Sequence, residues 1–392
     1  MDRPLLNRRL AEFGTTIFAE MSALAVRTGS INLGQGFPDT DGPEEIREAA
    51  VRALRDGRGN QYPPGPGIPE LRSAVAAHQQ RFYGHLGLVH DPDTEVLVTA
   101  GATEAIAASL LALLEPGDEV IALEPYYDSY AACIAMAGGT RVPVTLRPNP
   151  ETGAYALDLD ELRDAVTDRT RLILLNTPHN PTGTVLNRDE LATIAELAVE
   201  RDLLVVTDEV YEHLVFEGEH LPLASFPGMR ERTVTIGSAG KTFSFTGWKV
   251  GWVTATPELV STVRSAKQFL TYVSAGPFQY AVAEALALPD SYYTALRDDL
   301  RTKRDILATG LTEAGFQVFR PSGTYFITTD IRSLGYDDGF AFCRALPERA
   351  GVVAIPNAVF YDHRDEGAPF VRFAFCKQEK VLQEAVSRLQ LL

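Results

Sequence analysis

The sequence has 392 residues, with 36 lysines and arginines against 52 aspartates and glutamates, so its formal net charge is −16. This balance argues against general binding to nucleic acid or to an anionic membrane surface, because both require a basic protein surface. Hydrophobic residues make up 45% of the chain and charged residues 22%. That composition excludes disorder as the dominant state and allows a large core.

Targeting signals and cysteine motifs are missing from the sequence. Charged residues are scattered through residues 1–29, and the longest uncharged runs, 172–187 and 268–283, have sixteen residues each. These patterns predict neither a signal peptide nor a membrane span. The three cysteines lie far apart without a CxxC pair, and the seven histidines form no HExxH motif. We therefore expect reduced thiols in a cytoplasmic protein and no zinc site.

Seven short apolar runs alternate with helical patterns in the first two thirds of the chain. Apolar runs of this length between helices are typical of strands buried on both faces of a mostly parallel sheet. The helix predicted over 187–200 has Asn187 as its N-cap and Glu190 three residues later, which is the spacing of a capping box. We therefore predict an α/β domain over 45–285. Its strands are predicted over 95–99, 119–123, 141–146, 171–175, 203–207, 233–236 and 250–254.

The C-terminal part follows a different pattern. A long charged helix is predicted over 291–314, ended by Gly315, and a final helix over 378–389. The elements between them indicate a smaller α+β domain over 286–392. Residues 1–44 are predicted to form an N-terminal arm and part of this small domain. Its strands are predicted over 316–319, 325–329, 352–355 and 371–375.

The segment 62–69 is unusually rich in proline and glycine, reading Tyr-Pro-Pro-Gly-Pro-Gly-Ile-Pro. Proline at this density excludes a helix or a central strand, so the segment is predicted to be a rigid surface loop. Such a loop either turns a corner of the fold or faces a site, and composition alone leaves both interpretations open.

Two lysines stand in a segment without acidic residues. Lys241 follows the strand predicted over 233–236 in a loop of small residues, and Lys249 comes eight residues later. Residues 232–257 contain no aspartate or glutamate. A loop lysine is usually a solvated charge, but a lysine shielded from water has a lowered pKa and becomes a nucleophile. The segment therefore makes Lys241 a candidate for covalent chemistry.

Other polar or small residues follow predicted strands. Asp208 and Asn180 each come shortly after one, and ligands of α/β folds bind at the carboxyl edge of the strands. A helix cap or a plain turn explains these two residues equally well. Gly101, Ala102 and Thr103 connect a strand to a helix, where free amides favour an anion such as phosphate. An ordinary tight turn is the alternative there.

Together these segments supply a phosphate site, a strand-end aspartate, an asparagine, a nucleophilic lysine and a second lysine. Pyridoxal phosphate is the cofactor whose chemistry needs all five. A lysine holds it as a Schiff base, and an aspartate keeps its pyridine nitrogen protonated, so that the ring accepts electrons.

The sequence resembles the fold-type-I pyridoxal-phosphate aminotransferases of class I/II over nearly its whole length. Within that class it is similar to kynurenine aminotransferase and glutamine transaminase K, and to bacterial enzymes like succinyldiaminopimelate aminotransferase. The resemblance implies a large domain with a mostly parallel seven-stranded sheet flanked by helices, and a smaller α+β domain. Each motif is weak alone, and their common order carries the resemblance. The motifs are Asn32-Leu-Gly-Gln-Gly-Phe-Pro38, Asn60-Gln-Tyr62, Glu124-Pro-Tyr-Tyr127-Asp, Asn180-Pro-Thr-Gly183, Thr207-Asp208-Glu-Val-Tyr211, Ser238-Ala-Gly-Lys241, Trp248-Lys249 and Val371-Arg372-Phe373.

The resemblance also implies roles for individual residues. Lys241 would carry the cofactor and act as the general base, moving a proton from the substrate α-carbon. Asp208 would pair with the pyridinium nitrogen, while Tyr211 and Asn180 would hydrogen-bond the ring hydroxyl and Tyr127 would stack on the ring. The phosphate would be held by Gly101, Ala102, Thr103, Ser238 and Lys249, and by Tyr62 of the partner subunit in an obligate homodimer.

Substrate recognition is implied for a second group. Arg372 would bind the substrate α-carboxylate in a bidentate contact, helped by Gly36 and Asn180. Lys249 stands where aspartate aminotransferases have arginine, and no clear candidate appears for the second arginine of dicarboxylate-specific enzymes. The expected reaction therefore moves the amino group of a neutral, aromatic or sulfur-containing L-amino acid to a 2-oxo acid such as 2-oxoglutarate. The aromatic residues predicted for the side-chain pocket are Phe18, Phe37, Tyr126 and Phe278.

Alternatives within the family stay open at this point. Transamination of N-succinyldiaminopimelate, β-elimination from cysteine conjugates and specialised biosynthetic reactions share the same cofactor site.

Other classes of protein fit the sequence less well. Residues 238–241 match the S-x-x-K of penicillin-binding proteins without their SDN and KTG motifs, and no GxGxxG supports a dehydrogenase. Too few residues precede Asn32 for the DNA-binding helices of aminotransferase-like regulators.

Overall fold

The computed structural model describes residues 5–14, 16–149 and 152–392. The helices in chain order are α1 (Ile17–Thr28), α2 (Glu44–Arg55), α3 (Pro69–Tyr83), α4 (Gly101–Leu113), α5 (Asp128–Ala137), α6 (Leu159–Asp164), α7 (Arg188–Glu200), α8 (Ala239–Thr242), α9 (Pro257–Lys267), α10 (Gly276–Leu286), α11 (Asp290–Glu313), α12 (Gly339–Ala350), α13 (Arg364–Gly367) and α14 (Glu379–Leu389).

The strands in chain order are β1 (Ile31–Asn32), β2 (Val96–Thr99), β3 (Glu119–Glu124), β4 (Thr140–Thr145), β5 (Arg147–Asn149), β6 (Ala154–Ala156), β7 (Thr170–Asn176), β8 (Leu204–Asp208), β9 (Thr233–Ser238), β10 (Gly251–Thr254), β11 (Gln317–Phe319), β12 (Phe326–Asp330), β13 (Val352–Val353), β14 (Ile355–Pro356) and β15 (Phe370–Ala374).

A seven-stranded sheet in the order β2-β10-β9-β8-β7-β3-β4 forms the centre of the larger part of the molecule. The neighbours from β9 through β8, β7 and β3 to β4 run parallel. Only β10 runs against its neighbours β9 and β2. Every residue of β2 and β3 is buried, which is why these strands are continuous apolar runs in the sequence. The predicted mostly parallel sheet is therefore confirmed.

Helices cover both faces of this sheet. The helix α4 contacts α5 and α9, and these helices share a core with strand residues such as Val120 and Leu174. The helix α10 contacts α2 and α3 around a second core that includes Val98 and Trp252. With both faces covered, the carboxyl edge of the parallel strands is the open place where a ligand can approach.

A four-stranded antiparallel sheet in the order β11-β12-β15-β14 forms the centre of the C-terminal part. The long helix α11 contacts α14 and β11, and α12 contacts β14 and β15. The N-terminal segment joins this part, because β1 pairs in parallel with β13 and α1 contacts α12.

Local capping explains several predicted boundaries. Asn187 Oδ1 accepts a hydrogen bond from the Glu190 amide at 3.0 Å, and Glu190 Oε2 accepts one from the Asn187 amide at 2.8 Å. The predicted capping box at the start of α7 is therefore confirmed. Gly315, predicted to end the long helix, follows the C-cap of α11 with a φ of +92°, which glycine adopts without steric cost.

The structure also departs from the predicted elements. The strand predicted over 352–355 is divided, because β13 pairs with β1 whereas β14 pairs with β15. A hairpin of β5 and β6 was not predicted; its strands of three residues are too short for a periodic signal. The loop predicted over 62–69 is one residue shorter, since Pro69 begins α3 at a position where the missing N–H is harmless.

None of the helices within the described residues is long and apolar enough to cross a membrane.

Candidate active site

A cavity of about 380 Å³ lies at the carboxyl edge of the large sheet. Its wall combines the ends of β7, β8 and β9, the start of α4, the segment 35–37 and the strands β12 and β15. Most of the residues that the sequence predicted for a site lie in this wall. The lining residues are Phe18, Gln35, Gly36, Phe37, Gly101, Ala102, Thr103, Ile106, Tyr127, Tyr130, Asn176, Asn180, Asp208, Val210, Tyr211, Ser238, Gly240, Lys241, Thr246, Lys249, Val250, Phe326 and Arg372.

Asp208 is the last residue of β8 and is buried. The Tyr130 hydroxyl donates to its Oδ2 at 2.6 Å, and the Val210 amide donates to its Oδ1 at 3.3 Å. Burial raises the pKa of this carboxyl, and the Tyr130 and Val210 hydrogen bonds and the charge of Lys241 partly oppose that rise. A buried carboxylate in this setting favours a ligand that brings an N–H or a positive charge.

Lys241 lies on α8, directly after β9. The Ser238 hydroxyl accepts a hydrogen bond from the Gly240 amide at 3.2 Å and so starts this one-turn helix. The Lys241 ammonium lies 5.8 Å from the ring centroid of Tyr211 and 5.7 Å from that of Tyr325. Burial lowers the pKa of Lys241, and the charges of Cys376 and Asp208 partly oppose that shift. A larger neutral fraction makes this amine a better nucleophile than a surface lysine.

The start of α4 forms a cradle with room for an anion. Gly101 has a φ of +77°, and a Cβ there would lie 3.2 Å from Lys249 Nζ. Gly251 is equally restricted, because its Cβ would lie 2.7 Å from the carbonyl carbon of Gly101. Two glycines thus bring the helix N-terminus and the Lys249 ammonium together. The backbone amides of the first helical turn, the positive end of the helix dipole and the Lys249 ammonium meet here. This combination is suited to bind a phosphate.

Arg372 on β15 is 1% exposed. Its Nη1 donates to Asn180 Oδ1 at 3.0 Å and its Nη2 donates to the Gly34 carbonyl at 2.9 Å. Within the described residues, its Nε finds no hydrogen-bond partner. Burial lowers the pKa of Arg372 to about 10. A buried guanidinium that still has an unused donor on a cavity wall is suited to bind a carboxylate.

The cavity wall above Arg372 is aromatic. The guanidinium carbon lies 4.1 Å from the ring centroid of Phe326 and 5.3 Å from that of Phe18. Tyr325 donates its hydroxyl to the Gly36 carbonyl at 2.6 Å, which ties the segment 35–37 to the C-terminal part. The residue predicted to help at the carboxylate, Gly36, lies against Phe326, because a Cβ there would come within 2.5 Å of that ring.

Three predicted residues lie elsewhere in this chain. Tyr126 is buried and donates its amide to the Phe360 carbonyl, and Phe278 stacks on Trp248 with ring centroids 4.7 Å apart. Tyr62 is 81% exposed and contacts Tyr272 edge-on. None of the three lines the cavity of the single chain.

Several residues of the wall were not predicted from the sequence. Asn176 ends β7, donates to the Asp208 carbonyl at 2.8 Å and accepts from the Asn180 amide at 2.8 Å. Its position at a strand end was a usable signal. Tyr130 lies one helical turn after Tyr127, so the same periodicity could have found it. Gln35, Thr246 and Phe326 had no comparable signal.

Comparisons with known proteins agree with this geometry. The model of the aminotransferase class I and II family matches residues 28–389. The chain is 56% identical to the probable N-succinyldiaminopimelate aminotransferase of Mycobacterium tuberculosis over 98% of each chain. It is 40% identical to the methionine aminotransferase of Escherichia coli over 100% of each. The solved structure of N-succinyldiaminopimelate aminotransferase from Mycobacterium tuberculosis superposes with a TM-score of 0.95 and 56% identity, covering 98% of this chain and 99% of that chain.

The chain therefore belongs to the aminotransferase class I and II family. It is a pyridoxal-phosphate-dependent aminotransferase of fold type I, which confirms the family, fold and cofactor predicted from the motifs. The donor set fits this cofactor. The cavity offers an anion cradle, a partly buried lysine and a buried carboxylate whose present hydrogen bonds come from Tyr130 and a backbone amide.

Proposed function

We propose that this aminotransferase takes N-succinyldiaminopimelate as its amino donor and a 2-oxo acid such as 2-oxoglutarate as acceptor, in ping-pong order. The supporting observation is the 56% identity, over 98% of each chain, to a relative that bears this substrate's name. An enzyme of this type must accept a long donor whose side chain ends in polar groups.

A second candidate donor is a neutral, aromatic or sulfur-containing amino acid. Arg372 is the sole arginine among the described residues that line the cavity, so a second carboxylate on the donor has no arginine partner within one chain. The exposed ring of Phe37 and the half-buried ring of Phe18 add apolar surface beside it. The identity of 40% to a methionine aminotransferase supports the same candidate.

We propose the following roles for the residues of the cavity. Pyridoxal phosphate, when bound, supplies an electron sink for the negative charge that develops at the substrate α-carbon. Lys241 would hold the cofactor, and its amine would act as the general base that takes the proton from the substrate α-carbon. Asp208 holds the pyridine nitrogen protonated, and its position between the Tyr130 hydroxyl and the Val210 amide fixes its orientation. Tyr211 and Asn180 donate to the ring hydroxyl oxygen.

The remaining contacts orient cofactor and substrate. Tyr127 stacks on the ring, and Arg372 binds the α-carboxylate with help from Gly36 and Asn180. The side-chain pocket includes Phe18 and Phe37; we do not extend it to Tyr126 and Phe278, whose contacts lie elsewhere within this chain. The phosphate is held by Gly101, Ala102, Thr103, Ser238 and Lys249.

We further propose an obligate homodimer in which Tyr62 reaches the phosphate of the partner's site. Its 81% exposure and its contact with the exposed Tyr272 support this, because exposed aromatic residues that lie together favour a protein partner. The division into residues 1–44, a cofactor domain over 45–285 and a small domain over 286–392 is proposed with it, supported by the β1–β13 pairing. Three buried free cysteines support a reducing, cytoplasmic location.

The cofactor assignment is tested by borohydride reduction of the purified protein after cofactor addition, followed by peptide mapping. We expect the yellow absorbance to vanish and the label to map to Lys241. The matched control is Lys267→Ala, which removes another buried lysine and leaves the label in place. A label on another lysine would contradict the assignment.

The donor is tested by single-turnover reactions of the loaded enzyme with N-succinyldiaminopimelate, methionine, kynurenine, glutamine and aspartate, followed by absorbance. Conversion of N-succinyldiaminopimelate at least tenfold faster than methionine at equal concentration supports the first candidate, and the reverse order supports the second. Conversion of aspartate alone would contradict both. Release of ammonia from cysteine conjugates without an acceptor would indicate β-elimination instead of transfer.

A further inference from the structure

A group of buried ionisable side chains outside the cavity lies between α3 and the turn that follows β8. His78 is on the inner face of α3, and Glu212 and His213 are in the turn. His78 Nε2 lies 2.8 Å from His213 Nε2, which lies 3.9 Å from Glu212 Oε1. One ligand atom from each of the three side chains lies within 4.8 Å of the other two. The transamination proposed above uses none of them.

Neighbouring side chains hold the Glu212 carboxyl in place. Gln79 Nε2 lies 3.5 Å from Glu212 Oε2, and the Tyr83 hydroxyl also hydrogen-bonds the Glu212 carboxyl. Gln79 thus holds Glu212 Oε2, whereas Glu212 Oε1 is the oxygen nearest to His213. Partners of this kind orient the ligands of metal sites. Within the described residues, His78 Nδ1 has no hydrogen-bond partner, so protein hydrogen bonds account for only one of its nitrogens.

We propose that His78, His213 and Glu212 form a binding site for one divalent transition cation; two imidazoles with one carboxylate are a ligand set that zinc uses. Ligand atoms of a four-coordinate cation held at about 2.1 Å lie about 3.4 Å apart. The two imidazole nitrogens must therefore move apart and the Glu212 oxygen must approach them, each by about half an ångström or more. The sequence analysis predicted no zinc site, and this proposal departs from that prediction. No local motif indicates the site, because one ligand comes from a helix more than a hundred residues away from the other two.

Cation binding would connect α3 to the turn that carries Val210 and Tyr211, which line the active-site cavity. The Glu212 amide donates to the Glu209 carbonyl at 2.9 Å, and the Leu214 amide donates to the Tyr211 carbonyl at 2.8 Å. These bonds make the turn a short rigid unit next to Asp208. A cation held at its end therefore stabilises the segment behind the cofactor without entering the reaction.

The test uses the cofactor-loaded protein after removal of metals with a chelator. Cobalt(II) is titrated in as the probe, and its visible absorbance at wavelengths above the cofactor band is recorded together with the bound metal per chain. We expect one equivalent per chain, a spectrum typical of four-coordinate cobalt, displacement by zinc and a raised melting temperature. Absence of a specific cobalt spectrum, or weak binding at many places, would overturn the proposal.

Matched variants decide whether these residues are the ligands. His78→Phe fills the same space without a ligand atom, and Glu212→Gln keeps the size and the hydrogen bonds while removing the charge. Each should weaken cobalt binding at least tenfold. His85→Ala removes an exposed imidazole shortly after α3 and should leave binding unchanged. If His78→Phe does not fold, Glu212→Gln carries the test, and unchanged binding in that variant would contradict the proposal.

Discussion

Arg372 combines deep burial with an unused donor. Two of its nitrogens are occupied by Asn180 and the Gly34 carbonyl, while Nε has no partner among the described residues. A guanidinium fixed in this way presents a planar set of donors to a carboxylate at little further entropic cost.

Arg372→Lys should therefore raise the KM for the amino donor by about 10–100-fold, because a lysine ammonium keeps the charge but loses the planar fork. The change in kcat should be smaller. Steady-state kinetics with the donor identified by the substrate panel measure both values. Arg332→Lys, on an exposed arginine that pairs with Asp330, is the matched control. An unchanged KM in Arg372→Lys would mean that another group binds the carboxylate.

Tyr325 is a residue that sequence reasoning missed. Its hydroxyl donates to the Gly36 carbonyl, and its ring lies 5.3 Å from that of Tyr211. Removing this hydroxyl in Tyr325→Phe loosens the segment 35–37 and should raise the donor KM about fivefold, the worth of one hydrogen bond. Borohydride labelling of Lys241 should be unaffected. Tyr336→Phe changes a phenol that contacts Arg349 away from the cavity and should change neither value.

The sequence predicted a common location for Asp208 and Lys241, because the carboxyl ends of parallel strands meet at one edge of the sheet, and both residues line the cavity. Phe278, predicted for the substrate pocket, stacks on Trp248 in the single chain, and its role in the pocket stays a prediction. An aromatic residue fits a core or a pocket equally well, and only tertiary packing distinguishes the two.

At the scale of elements, the apolar pattern predicted each strand of the large sheet to within three residues at either end. Long buried runs have a strong periodic signal. The division between β13 and β14 depends on pairing with β1, more than three hundred residues earlier in the chain. A pattern read along the sequence contains no information on such a distant partner, so the two strands were predicted as one.

The loop after β7, which carries Asn180, also carries a buried imidazole. His179 Nδ1 lies 2.7 Å from Thr182 Oγ1, and burial lowers the pKa of His179 to about 4. Because the folded-state pKa lies below the ordinary value of about 6.5, this group contributes stability above pH 6.5 that is lost as the pH falls toward 4.

Acidification from pH 7 to pH 5 should therefore remove roughly 2 kcal/mol of unfolding free energy through His179. Chemical denaturation at several pH values measures it. The variant His179→Gln is expected to be less stable at pH 7, and its stability should fall less between the two pH values than that of the unchanged protein. His85→Gln, on an exposed ring, should follow the unchanged protein. Parallel pH curves for His179→Gln and the unchanged protein would show that His179 titrates normally.

At the scale of the molecule, the net charge of −16 does not describe the cavity. Three cations, Lys241, Lys249 and Arg372, line the wall against one carboxylate, Asp208. Their combined field favours anionic ligands such as a phosphate and an amino-acid carboxylate, although the surface as a whole is acidic. The charges that line the cavity, and not the net charge of the chain, determine which ligands bind there.

An apolar surface patch includes Tyr62 and Tyr272, with the exposed Phe269 and Leu270 shortly before Tyr272 in the chain. Phe269 is 84% exposed, and Tyr62 and Tyr272 contact each other with ring centroids 5.5 Å apart. The close approach of Gly59 to the backbone of Gly276 holds the two segments side by side. Aromatic groups gathered at one place on a surface favour a protein partner, which here is a second copy of the chain under the proposed function.

Phe269→Asp should therefore weaken the dimer by placing a charge in the patch, and the specific activity should fall on dilution because Tyr62 no longer reaches the partner's phosphate site. Sedimentation and activity are measured over the same range of concentrations. Val26→Asp places the same charge at another exposed apolar residue, 85% exposed on α1, and should leave both unchanged. Tyr62 belongs to both the patch and the proposed cofactor site, so dissociation and loss of activity must occur at the same concentration. Full activity in a monomeric Phe269→Asp protein would exclude a site shared between subunits.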